Sequence, residues 1–469
     1  MSQSNSFLYQ SKFRPHAIPT VNHALLIAAL LSGVVSSAAY SADCSTLNKL
    51  QVRGAEKQAA YCLEDLSTTY LIASGRTDAS DWLPLHSQAT RNPAGAVPGI
   101  QIDGYFPDTS TTNAYNGWNH DAQFVIRLPD NWNGKLVITG APGVRRQYAT
   151  DYLISDWVLA RGYAFASTDK GNSGTSFYKD GATPGDAIAE WHQRVTELTI
   201  AAKDVLAQRY GRVPSYTYMT GISNGGYLTR HALENRPDLY DGGVDWEGPH
   251  WRPEGPNMFQ SLPVALKNFP NYRITGNPVA HDRMIAAGFA AGSEFLWEHH
   301  YAVYWDLTQR TYREEIDPTF DTTLEAGIPF CVSGLPYCDA DYDYALRPQV
   351  VRDAVSKISL TGRIGKPMIT LHGTMDTLLP ISTNSTPYAQ LIRKAGRGSL
   401  HRYYVVEDGN HVDQLYDVFP DKLRPIAPCY RAAFIALETW VETKGRSKPP
   451  ESKTIARPVS GDLANECKL

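Results

Sequence analysis

The sequence predicts an α/β fold, with a mostly parallel central sheet flanked by helices and an inserted lid domain. Three observations predict it. Strand-like and helix-like segments alternate through residues 122–246, as a parallel sheet requires. A tight turn, Gly221-Ile-Ser223-Asn-Gly225, falls between one such strand and one such helix. The alternation then lapses from about Pro249 to Gly365 and resumes at Pro367. A structureless loop of that length would be unusual in a compact domain, so the stretch reads as an insertion.

At the amino end, Lys12 and Arg14 precede an apolar run from Ala24 to Val35, followed by Ser36, Ser37, Ala38 and Ala39. This is the layout of a secretory signal peptide, with cleavage expected after Ala39 or Ser41. The run is too short to span a bilayer comfortably, and no other stretch approaches about 20 apolar residues. The expected organisation is therefore a signal peptide at 1–41, a first core portion at 42–248, the lid at 249–365 and a second core portion at 366–469. The expected location is periplasmic or secreted. Six cysteines remain, Cys44, Cys62, Cys331, Cys338, Cys429 and Cys467. An even number in an exported chain reads as disulfides. Proximity favours the pairs 44–62, 331–338 and 429–467. No Cys-x-x-Cys spacing supports zinc.

The 469 residues carry 44 Lys+Arg against 48 Asp+Glu, a formal charge of −4. That balance gives no electrostatic footprint for nucleic acid or an anionic membrane. With 42% hydrophobic and 20% charged residues, the chain is not disordered as a whole.

Strands are expected at Ala122–Leu128, Lys135–Thr139 and Tyr163–Ser167. The longest helix signal runs from Ile188 to Tyr210. Ile188, Trp191, Val195, Leu198, Ala202 and Val205 recur at steps of 3, 4, 3, 4 and 3, which places them on one face. Gly211 then stops the helix. A strand at Ser215–Thr220 leads into the Ser223 turn, a helix from about Asn224 to Asn235 and a short strand at Gly243–Trp246. After the insertion come strands at Pro367–Leu371 and His401–Val406, then an amphipathic helix at about Tyr430–Thr443.

The chemistry starts from Gly-x-Ser-x-Gly. Between strand and helix, this pattern puts the Ser on a sharp turn that the flanking glycines permit. A serine hydroxyl is a poor nucleophile near neutral pH and needs a base, which in turn needs an orienting acid. In α/β-hydrolases the chain order is Ser, acid, His. Asp376, in Leu371-His-Gly-Thr-Met-Asp376, and His411, in Val406-Glu-Asp-Gly-Asn-His411, both follow strands in that order. Parallel strands bring such ends to one edge of the sheet. Competing roles stay open. His372 is a second base candidate, and Asp245 or Glu247 a second acid. Asp408 is read as serving its own turn, and His299 and His300 as surface or rim residues of the lid. Asn224 is expected to donate one oxyanion N–H, with Ala141 or Gly143 giving the other. Pro142 has no N–H to give.

These residues carry a resemblance. The chain resembles the tannase and feruloyl esterase family of secreted α/β-hydrolases from about Leu128 to Glu247 and from Lys366 to about Pro458. The carrying motifs are Leu128-Pro-Asp-Asn-Trp-Asn-Gly-Lys135, Ala166-Ser-Thr-Asp-Lys-Gly-Asn-Ser-Gly174, and Tyr218-Met-Thr-Gly-Ile-Ser-Asn-Gly-Gly226. His372-Gly-Thr-Met-Asp376 and Gly409-Asn-His411 complete them. The Ser-Asn-Gly-Gly core is also similar to hydroxybutyrate-oligomer hydrolases. The resemblance implies a Ser223, Asp376 and His411 triad and a specificity-carrying lid; no cofactor is expected, with a structural calcium in the lid as the alternative. That family typically sets cysteines beside its nucleophile and catalytic His; here those positions hold Ile222 and Val412. Its lid often carries a calcium loop. The nearest counterpart, Asp339-Ala-Asp341-Tyr-Asp343, lacks the turn Gly and terminal Glu of an EF-hand and reads as a solvated acidic turn.

The sequence thus points to an exported serine esterase with a small or oligomeric ester as substrate. Trp246, Glu247, Trp251, Trp297, Tyr301, Tyr304 and Trp305 are the candidates for lining an aromatic acyl site. A polyester-oligomer hydrolase, a serine peptidase and a noncatalytic binding protein are the alternatives.

Overall fold

In the central strands, successive side chains go to opposite faces, and both faces are dry. Val137, Phe165, Tyr218, Val244 and Ile369 lie on one face, and Leu136, Ile138, Ala164, Met219 and Met368 on the other, all with no measurable exposure. Such runs suit a sheet covered on both sides. Each fully buried aliphatic or aromatic side chain contributes roughly 1.5–3 kcal/mol relative to exposure.

The computed structural model describes residues 41–320 and 339–469. The apolar run at 24–35 and the 331–338 cysteine pair lie outside the described residues. The strands are β1 (Lys57–Leu63), β2 (Gly99–Tyr105), β3 (Gln123–Pro129), β4 (Lys135–Gly140), β5 (Ala164–Thr168), β6 (Tyr216–Ile222), β7 (Gly242–Trp246), β8 (Met368–Gly373), β9 (His401–Val406) and β10 (Lys453–Ile455). They form one sheet in the order β1-β2-β3-β5-β4-β6-β7-β8-β9-β10. The pairs β1/β2, β2/β3 and β3/β5 are antiparallel; the run from β5 through β10 is parallel.

Short helices α1 (Thr68–Ser74), α2 (Ala79–Trp82) and α3 (Asp156–Leu159) decorate the amino half. Helix α4 (Asp186–Tyr210) buries the six-residue stripe the sequence marks, from Ile188 to Val205, and ends at Gly211. Helix α5 (Asn224–Asn235) lies on the same face, while Tyr430, Ala433, Phe434 and Leu437 of the carboxy-terminal helix cover the other. Between β7 and β8 lie α6 (Leu262–Thr275), α7 (Pro278–Ala286), α8 (Glu294–Val303), α9 (Trp305–Ile316) and α10 (Gln349–Ile358). Helices α11 (Ser385–Lys394) and α12 (Ala427–Glu442) complete the fold. None of the helices among the described residues is long and apolar enough to cross a membrane.

Cys44 bonds Cys62, across 18 residues, and Cys429 bonds Cys467, across 38. The second bridge ties the tail, which also adds β10 to the sheet edge, to α12. Each expected segment of the core is present, with ends displaced by a few residues. Strands β1 and β2, which the sequence reading missed, extend the sheet on its antiparallel side.

Two glycine sites give a direct test of this packing. A Cβ on Gly225 would lie 2.6 Å from Gly140 O, so α5 would have to move away from β4, whereas one on Gly398 would meet only Arg393 Cγ, at 3.6 Å. Gly225→Ala should destabilise the protein by about 1–3 kcal/mol and Gly398→Ala by less than about 0.5 kcal/mol, read from urea unfolding. Equal effects would contradict the close approach.

Candidate active site

Strand β6 ends at Ile222 and α5 begins at Asn224, so Ser223 alone makes the turn. Its backbone sits at φ 56° and ψ −118°. A residue with a Cβ pays roughly 1–3 kcal/mol for such a conformation. The neighbours hold it there. The Ser223 N–H donates to Trp246 O at 2.9 Å, and its carbonyl accepts from the Tyr227 N–H at 3.0 Å. A Cβ on Gly221 would lie 2.6 Å from Gly225 Cα, so this elbow closes only with glycine.

Asp376 follows β8 and His411 follows β9. Their loops are tied together: Met375 N–H donates to Gly409 O at 2.7 Å, and Thr374 N–H to Val406 O at 3.0 Å. His411 Nδ1 donates to Asp376 Oδ2 at 2.8 Å. Asp376 Oδ1 accepts from the N–H groups of Leu378 and Leu379, each at 2.8 Å. Burial works to raise the Asp376 carboxyl, but the charge of His411 and hydrogen bonds from His372 and His411 outweigh it. They hold it well below the usual carboxylate range. A carboxylate on Nδ1 fixes the neutral imidazole in the tautomer whose Nε2 is the acceptor, as a general base requires.

Ser223, Asn224, Gly143 and His411 border one cavity of about 690 Å³. Its walls are mainly apolar, with Leu307, Val303, Leu378 and Tyr304 among them. The Asn224 side chain donates to Gly143 O at 3.0 Å and to the Tyr312 hydroxyl at 2.6 Å. It thus links the nucleophile turn to the loop after β4 and to α9. The N–H of Ala141 donates to Thr168 O at 3.0 Å. It is committed to the sheet, which leaves Gly143 of the two expected oxyanion donors.

The competing residues have other work. His372 is fully buried, with Nδ1 on Ser385 Oγ at 2.7 Å and Nε2 on Leu379 O at 2.9 Å, so it holds the acid loop. Asp245 pairs with Arg230 at 2.7 Å, both without exposure, and accepts from Thr370. Asp408 lies 3.4 Å from Arg457 in a φ 60° turn. His300 borders the cavity, as a rim residue would, but at 1% exposure it is not a surface residue, and neither ring nitrogen has a hydrogen-bond partner among the described residues.

Of the seven acyl-site candidates, Tyr304 borders the cavity and the others do not. Trp246 packs on Tyr430 on the far face of the sheet. Glu247 is buried beside His411. Trp251 packs on Phe259, and Trp297, Tyr301 and Trp305 gather around Phe269. These aromatics form the insertion's own core, because short amphipathic helices must bury one stripe before they can present another. The acidic turn at 339–343 is not uniformly solvated either. Asp339 is buried against Arg313, Asp341 lies 3.3 Å from Lys267, and Asp343 caps the Ala345 N–H. Each acid has its own partner. Sequence reasoning missed the Asn224 to Tyr312 link and the buried His300, since neither belongs to a spacing pattern.

A mostly parallel sheet with a serine on the strand-to-helix elbow after β6, and an Asp–His pair after β8 and β9, gives the chain an α/β-hydrolase fold. Residues 109–246 match the family model described as tannase and feruloyl esterase, and residues 330–465 match that of the 3HB-oligomer hydrolases. The chain is similar to a probable feruloyl esterase of Arthroderma benhamiae, 28% identical over 160 residues, 32% of this chain and 29% of that protein. It is also similar to the mono(2-hydroxyethyl) terephthalate hydrolase of Piscinibacter sakaiensis, 26% identical over 142 residues, 27% of this chain and 23% of that protein. The match thus spans less than a third of either relative's length. The crystal structure of feruloyl esterase B from Aspergillus oryzae superposes with a TM-score of 0.50 at 14% identity, covering 85% of this chain and 90% of that one. At that identity the likeness is one of fold.

Burial lowers the His300 pKa to about 3, with the charges of His299 and His411 adding to the effect and that of Asp376 opposing it. An unfolded His titrates near 6.5. Between those values the unfolded state binds the extra proton, so the His300 contribution weakens as pH falls from about 6.5. His300→Gln should therefore gain stability relative to the parent on going from pH 7 to pH 5, measured by urea midpoints. A difference that does not change with pH would contradict the burial of a neutral imidazole.

Proposed function

We propose that this protein is an exported serine carboxylic-ester hydrolase that works through an acyl-enzyme. The observation that carries the reading is the shared cavity: Ser223 on its strained turn and the His411–Asp376 pair border the same apolar space. Ser223 Oγ attacks the ester carbonyl as His411 Nε2 takes its proton, and Asp376 stabilises the imidazolium that forms. The N–H groups of Asn224 and Gly143 receive the developing oxyanion. The alcohol leaves with the proton from His411, and water then attacks the acyl-enzyme with His411 again as base.

The segment at 249–365 serves as a lid, supplying Tyr304 and Tyr312 to the cavity. Those rings and the apolar walls suit an aromatic acyl group of feruloyl or galloyl type. The match of residues 330–465 to 3HB-oligomer hydrolases supports a second reading, short hydroxyalkanoate esters. The two disulfides fit an oxidising compartment.

Ser223→Ala should lower kcat on a chromogenic short-chain ester by at least about 10³-fold; retained turnover would remove the serine from the reaction. A panel of feruloyl, galloyl, terephthaloyl and 3-hydroxybutyryl esters then ranks the substrates by kcat/KM. The aromatic reading expects the first three to lead, and a lead for hydroxybutyryl esters would overturn it.

A further inference from the structure

Behind His411 sits a second carboxyl that this reaction scheme does not use. Glu247 is the residue after β7, as Asp376 follows β8. It is fully buried and does not border the cavity. Its φ is 54°, in the left-handed region that a side chain with a Cβ enters at a cost. Its N–H continues the sheet by donating to Leu371 O at 2.9 Å. Its Oε1 accepts the Gly373 N–H at 2.6 Å. Its Oε2 has no partner in good hydrogen-bond geometry among the described residues and lies 3.6 Å from His411 Nδ1, the nitrogen that holds Asp376 at 2.8 Å. One ligand-type atom from each of Glu247, Asp376 and His411 fits within 4.8 Å of the other two. Adjacent strand ends thus deliver two acids to a single ring nitrogen.

Two carboxylates so close in a dry site do not both ionise. Burial, then the charge of Asp376 and that of Asp413, push the Glu247 pKa well above the usual range, with the Gly373 N–H and the Trp246 indole N–H opposing them. The groups facing this cluster are His372 with Asp376, Asp413 with His411, Tyr403 from β9 and His300 from α8. Asp376 already accepts from two imidazoles and two backbone N–H groups, so it is the ionised member. Glu247 has one backbone donor and, more loosely, the indole N–H of Trp246, fewer than Asp376 has, so it is the protonated one.

We propose that Glu247 is a second positioning acid for His411, neutral while Asp376 is charged and able to ionise and orient the ring when that charge is removed. The proposal rests on the reading of His411 as the catalytic base. The strained Glu247 backbone and the 3.6 Å approach of Oε2 to His411 Nδ1 favour a positioning role. Loss of the sole orienting Asp costs a serine hydrolase about 10⁴-fold. With a reserve acid present, Asp376→Asn should cost only about 10–100-fold, and its residual kcat should rise with pH as Glu247 loses its proton.

The experiment measures kcat and kcat/KM on p-nitrophenyl acetate from about pH 5 to 9 for four proteins: the parent, D376N, E247Q and D376N/E247Q. The expected result is that E247Q costs at least about 10-fold more in the D376N background than in the parent, and that adding E247Q to D376N moves the midpoint of the rise with pH, leaving only the rise due to His411 itself. Equal effects in both backgrounds, or a D376N profile that E247Q leaves unaltered, would overturn the proposal. If the double variant fails to fold by urea unfolding, D376N/E247D replaces it, since the shorter acid falls short of Nδ1. Infrared difference spectra of parent against E247Q give an independent readout. They should contain the carbonyl band of a protonated carboxyl at pH 7, and its absence would also overturn the proposal. A parent whose hydrolysis survives Ser223→Ala would instead reject the serine mechanism and not this pairing alone.

Discussion

The whole site depends on one backbone constraint, the passage from β6 to α5 through a single strained residue. At φ 56° and ψ −118°, Ser223 folds Gly225 against Gly221, and α5 lies so close to β4 that a side chain at Gly225 would meet Gly140 O. The strain persists because the surrounding fold fixes both ends. The strand ladder holds Ser223 N–H on Trp246 O, and the first turn of α5 holds its carbonyl on Tyr227. Conformational energy of this kind survives only where packing over-determines it. Here the packing comes from two large apolar layers, one on each face of the parallel sheet.

The parallel register does the rest. Strands β6, β7 and β8 end at the same edge, and β9 ends beside them. Each end carries one polar residue of the site: Ser223, Glu247, Asp376 and His411. Because the acid and His loops bond directly to one another, the imidazole and its carboxylate are placed by backbone contacts. The Asp376 carboxylate is fully buried and would be costly without further donors. Leu378, Leu379 and His372 supply them.

How much of this was legible in the sequence varied with the kind of signal. Local signals were read well. The helix stripe from Ile188 to Val205, the glycine-framed Ser223 turn and the two disulfides 44–62 and 429–467 each follow from spacing or proximity. The aromatic roles were not legible. Trp297, Tyr301 and Trp305 look like pocket residues in a list, yet their helices turn them onto Phe269. Composition gives the supply of rings; only tertiary packing decides which ones meet solvent or substrate. Likewise nothing local marks Tyr312 as a partner of Asn224, 88 residues away. Strands β1 and β2 escaped notice because β1 is only partly buried and alternation is weak there.

The most direct measurement is site-mapped labelling with a fluorophosphonate, followed by peptide mass spectrometry. The account predicts one label per molecule, on Ser223, forming far more slowly when His411 is replaced by Ala. A label on another residue, or a Ser223 reaction that proceeds equally fast without His411, would contradict it.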